Sequence, residues 1–139
     1  MNNMLNKLIL VLSFFGVAAF GHDRTNVDDI SVLFGGEPEP MVTDARQVLR
    51  WKFNDVDTNE PITDLEDLEA VVTFAGKEAG TFTARGIRRD PGVYLTSHIF
   101  TMPGEGEVTL SFKREGKDKI YTVTFSFSVL SRRVLEIPR

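Results

Sequence analysis

The chain has 139 residues, with 20 acidic against 16 basic side chains and a net charge of −4 at pH 7. It contains no cysteine and only two histidines, which excludes disulfide cross-links, cysteine lipidation and most nucleophile–base pairs. A mildly acidic chain with no basic cluster argues against nucleic-acid binding, and the balance gives no reason to expect attraction to anionic lipid.

The first segment, MNNMLNKLILVLSFFGVAAFG, carries one cation (Lys7), an apolar run Leu8–Phe15 and then small residues. That is the order of a secretory signal peptide. The run is shorter than the roughly 20 residues of a comfortable membrane span, an uncleaved anchor being the alternative. Ala19 and Gly21 place small residues at −3 and −1 for cleavage after Gly21, and Val17-Ala18-Ala19 satisfies the same rule for cleavage after Ala19. The preferred division is a signal peptide over 1–21 and one domain over 22–139. Removing 1–21 leaves 118 residues with a charge of −5, enough for a single core. The expected destination is the periplasm, with free secretion second and no stable membrane insertion after cleavage.

Beyond residue 27 the chain alternates with period two, the signature of half-buried strands. DISVLFG places Ile30, Val32 and Phe34 on one face, and VLRWKFND sets Leu49, Trp51 and Phe53 against Arg50, Lys52 and Asn54. EAVVTFAG offers Ala70, Val72 and Phe74, and GTFTARG is a shorter, weaker run. GVYLTSHIF reads as Val93, Leu95 and Ile99 inward, with Tyr94, Thr96, His98 and Phe100 opposite. EVTLSFKREG gives Val108, Leu110 and Phe112; KIYTVTFSFSVL sets Tyr121, Val123, Phe125, Phe127 and Val129 against Thr122, Thr124, Ser126 and Ser128. Turn-forming GGEPEP, DTNEP, RRDPG, MPGEG and REGKD separate the runs. About seven short strands predict an all-β antiparallel sandwich, with Trp51 central and the last two strands joined as a hairpin by REGKD.

No catalytic set emerges, and the protein is expected not to be an enzyme. DVDTNEPITDLE has Asp55, Asp57, Asn59 and Glu66 at EF-hand-like places, but Glu60 and Pro61 occupy the tight turn where glycine is required. The preferred reading is a solvated loop between strands.

The segments TNEPITDLEDLEA and DPGVYLTSHIFTMPGEGEVTLSFKREGKDKIYTVTFSFSV resemble the YtkA-like periplasmic domains. Glu60-Pro61-Ile62-Thr63-Asp64-Leu65 matches their early motif; Gly92, Tyr94, Phe100, Met102 and Gly104 match the later one, with Glu107 where an aromatic is usual. The resemblance covers roughly residues 28–130 and implies an immunoglobulin-like sandwich, exported and linked with copper handling. The histidine motifs of many relatives are absent, so the resemblance carries fold and compartment further than function.

The histidines themselves offer a copper site. Cleavage after Gly21 would put a free amine and imidazole on His22, and His98 could complete a three-nitrogen set suited to Cu(II). This resembles the arrangement in CopC-type copper carriers, which commonly add an Asp-x-His motif, although here Thr96-Ser97 precedes His98. Cleavage after Ala19 would instead create Phe-Gly-His, which wraps Cu(II) or Ni(II) in a square plane. Met102 and Met41 are candidate thioethers for Cu(I), although methionine is more often core filler. The metal candidates are therefore His22, His98 and Met102, with copper as the ligand. The rival reading is a metal-free module that docks an envelope protein, or a second copy, through a sheet edge such as the flat polar row of Thr122 to Ser128.

Overall fold

The computed structural model describes residues 23–135; the predicted signal peptide lies outside the described residues. Ten strands follow in order: β1 (Asp23–Val27), β2 (Ile30–Glu37), β3 (Met41–Val42), β4 (Arg46–Asp55), β5 (Leu65–Phe74), β6 (Lys77–Thr83), β7 (Arg85–Ile87), β8 (Asp90–Ile99), β9 (Gly104–Arg114) and β10 (Tyr121–Leu130). A 3₁₀ turn, Arg132–Leu135, follows β10.

The strands form two five-stranded sheets, ordered β1-β2-β4-β8-β7 and β3-β10-β9-β5-β6. All pairings are antiparallel except the short parallel contact of β3 with β10. The series β2-β4-β8-β7 facing β10-β9-β5 is the A-B-E-D and G-F-C arrangement of an immunoglobulin sandwich. The alternation in the sequence is thus converted into two wet outer faces and one dry interior.

That interior is aromatic. Leu49, Trp51 and Phe53 on β4 are fully buried, and Phe34 stacks on Phe125 of the other sheet at 5.1 Å between ring centres. Phe53 meets Phe112 edge-on at 5.1 Å and Tyr94 at 5.4 Å. Each such side chain contributes about 1.5–3 kcal/mol by leaving water. Trp51 Nε1 has no hydrogen-bond partner among the described residues, so the indole is held by packing alone.

The two sequence segments that carry the family resemblance touch each other. Gly92 has φ of +84°, and a Cβ placed there would lie 2.7 Å from the Phe53 carbonyl oxygen and 2.9 Å from Pro61 Cβ. Ile62 N–H donates to that same Phe53 oxygen at 3.0 Å, and Tyr94 Oη reaches the Ile62 carbonyl at 3.5 Å. Glycine is therefore required where β8 passes under the Pro61 segment.

Three sequence expectations are corrected. The described residues form ten strands rather than about seven: the polar β1 and the very short β3 carry no hydrophobic pattern, and one expected strand is divided in two. GTFTARG is not one strand: the chain leaves the second sheet at Ala84, which is buried and donates its N–H to Leu68 O at 3.1 Å, and enters the first as β7. On β8 the faces are reversed, since Tyr94 and Phe100 belong to the core while Ile99 is 55% exposed. Tyr94 and Phe100 join the aromatic interior, while Val93 of the opposite row, 1% exposed, is covered on the outer side.

Candidate functional site

Because β8 turns that face inward, His98 is half-buried at the end of the sandwich rather than on its outer surface. Its ring lies between Phe82 on β6, at 4.9 Å, and Phe100, at 4.7 Å. Burial among these rings pushes the imidazole below its usual pKa. Burial thus favours the neutral imidazole, the form that can ligate a metal.

The opposite wall comes from the β5–β6 hairpin. Its two turn residues, Ala75 and Gly76, have φ of +51° and +78°, the double left-handed geometry of a tight hairpin turn. This turn brings Lys77 and Glu78 against the β8 end. Met102, in the β8–β9 connection, is 60% exposed. His98, Met102, Glu78, Lys77 and Phe100 line one open groove of about 640 Å³. The groove is therefore lined by one imidazole-bearing and one thioether-bearing residue; the Glu78 carboxylate accepts a hydrogen bond from the exposed Thr81 Oγ1 at 2.9 Å.

His22 lies outside the described residues. Asp23, where the description begins, pairs with Phe34, which pairs with Trp51, which pairs with Tyr94. The start of β1 is thus three strand spacings from β8, about 14 Å across the sheet, and His98 is a further four residues, about 13 Å, along it. Met41 is a core residue, 6% exposed and packed so tightly on Gly36 that a Cβ there would sit 2.3 Å from its sulfur.

The acidic loop satisfies its own backbone. Asp55 accepts hydrogen bonds from the N–H groups of Asp57 and Thr58, both at 2.9 Å, and these hold its carboxyl below the usual range. Glu66 is on β5, beside Lys113 of β9. Among the described residues no group of three or more histidine, aspartate or glutamate side chains converges on a point. The groove itself was not legible in the sequence, because the β5–β6 hairpin and the end of β8 come to line it only through the packing of the two sheets.

Fold and groove together define an immunoglobulin-like β-sandwich with a half-buried histidine and an exposed methionine at one end. The same fold occurs in solved proteins. The "as isolated" FetP of uropathogenic Escherichia coli strain F11, produced in the periplasm of E. coli BL21(DE3), matches with a TM-score of 0.60 at 15% identity, over 79% of this chain and 94% of that one. A copper-bound variant of the same protein, altered at one glutamate, matches at 0.58 and 16%, over 78% and 94%. PA0388, a DUF4426 family protein of Pseudomonas aeruginosa PAO1, matches at 0.59 and 12%, over 79% and 95%. CopC of Methylosinus trichosporium OB3b matches at 0.50 and 12%, over 80% and 95%. These likenesses bear out the sandwich fold and, at the level of fold, the similarity to CopC-type proteins. No protein-family model matches the sequence, and no curated protein matches it.

Proposed function

We propose that this is an exported, non-catalytic binding protein of the periplasm whose cargo is copper, held in the His98–Met102 groove and passed on by ligand exchange. The observation that carries the reading is that the one described histidine, its pKa lowered by burial, and the one strongly exposed methionine among the described residues line the same groove. An imidazole with a thioether is a donor pair for soft Cu(I), whereas Cu(II) favours more nitrogen. The copper-bound state of a FetP variant that shares the fold adds support. On this reading the His22 amine and imidazole, outside the described residues, form a Cu(II) chelate of their own at the N-terminus.

The test is competition for Cu(I) against a colorimetric chelator. His98→Ala and Met102→Leu each lower the affinity at least tenfold, while Met41→Leu leaves it unchanged. Equal affinity in all four proteins would remove the groove from the reading.

A second reading rests on β10. This strand pairs with β3 only at Val129 and Leu130, so its edge from Tyr121 to Ser128 has no hydrogen-bonded neighbour strand among the described residues. A partner strand could add there without any metal. Association that persists in chelator during size-exclusion chromatography favours this reading over the first.

A further inference from the structure

The net charge of −4 conceals a segregation of charge between the two outer faces. On the first sheet the outward residues run in rows across the strands. One row reads Arg24, Leu33, Lys52, Val93; the next reads Arg50, Leu95, Arg85. Arg46 stands opposite the exposed Ile99. The face thus carries five cations, and its two carboxylates, Glu37 and Asp90, both contact Arg50. Arg24, Arg46, Lys52 and Arg85 make no ion pair among the described residues. On the second sheet the outward positions include Glu66, Glu69, Glu105 and Glu107 against Lys113, set among threonines and serines.

We propose that the outer face of the first sheet is a peripheral docking surface for an anionic lipid bilayer. Within each row a leucine separates two cations, which spaces the charges about 10 Å apart over a sheet about 19 Å wide. Such an array does not converge on one anion; it matches a plane of separate phosphates. The half-buried Leu33 and Leu95 lie between the cations, Val93 is covered, and Ile99, 55% exposed, is the apolar side chain placed to rest in the headgroup layer. The grooves of about 600 and 640 Å³ are lined by residues of both sheets, and a smaller one of about 310 Å³, beside Ile87 and Val93, indents the β7–β8 end of this face. A plane of lipid needs no matching contour. The acidic opposite face fixes one orientation by being repelled from the same surface. This inference is independent of the copper reading.

The test is flotation of the exported, processed protein with phosphatidylcholine vesicles, with and without phosphatidylglycerol. The protein co-floats with the anionic vesicles at about 0.01 M salt, does not bind the neutral ones, and is released at about 1 M, where the Debye length shrinks from about 30 Å to about 3 Å. Each cation near the surface is worth roughly fivefold in partitioning, so Lys52→Gln with Arg85→Gln lowers it about thirtyfold. Arg24→Gln with Arg46→Gln, both at exposed positions, probes the same face should the first pair disturb folding. Glu105→Gln with Glu107→Gln on the far face does not weaken binding. Failure to bind anionic vesicles, equal binding to neutral ones, or unchanged partitioning in both cationic variants would overturn the proposal. Binding to soluble polyglutamate without binding to vesicles would overturn it in favour of an acidic protein partner.

Discussion

Replacing Gly92 by alanine tests the contact on which the two motif segments converge. At φ of +84° an alanine sits in the left-handed region, which costs about 1–2 kcal/mol for a residue with a Cβ. The new methyl would also lie 2.7 Å from the Phe53 oxygen and 2.9 Å from Pro61 Cβ, so backbone must give way. The oxygen that moves is the acceptor for Ile62 N–H, a bond worth about 1 kcal/mol. Together these give a loss of about 3 kcal/mol, or a Tm lower by about 12 °C at roughly 4 °C per kcal/mol. Gly116 supplies the control, because it has φ of +74° but nothing within 4 Å of the added Cβ. Gly116→Ala meets only the conformational term of about 1–2 kcal/mol. Urea unfolding of both variants separates the terms, and equal losses at the two sites would refute the contact argument.

Asp55→Ala lowers stability at pH 7 by removing the acceptor for two N–H groups of its turn. Those bonds depress the folded pKa, so the contribution is present above the unfolded value of about 3.9 and fades as pH falls through the folded one; urea midpoints of both proteins should converge there. His98 has a lowered pKa through burial, so the unfolded chain binds the proton first and wild type loses stability as pH falls below about 6.5. His98→Gln removes that slope in midpoints measured between neutral and mildly acidic pH. Trp51→Phe costs only about 1–2 kcal/mol in urea unfolding, against about 3–5 for Trp51→Ala, because the smaller ring also deletes a buried N–H that has no partner.

The core was legible wherever one face of a strand is apolar and the other polar. β4 and β10 follow their sequence pattern residue by residue, from Leu49 to Phe53 and from Tyr121 to Val129. The rule failed on β8 because both faces are apolar: Val93 is 1% exposed although it lies on the outer face, and Tyr94 is buried on the inner one. β1 was invisible because Asp23–Val27 is held by pairing with β2 and not by burial of a pattern of its own. His98 and Met102 were individually readable as metal candidates. Their shared groove was not, since it depends on the β5–β6 turn arriving beside the end of β8.

The central claim concerns where copper binds, and NMR observes the place directly. On addition of one equivalent of Cu(I) to the protein, the Met102 methyl and the His98 ring signals shift together, with the Met41 methyl and the backbone of β1 unmoved. Shifts confined to the N-terminus, or a Met102 methyl that does not respond, would contradict the account.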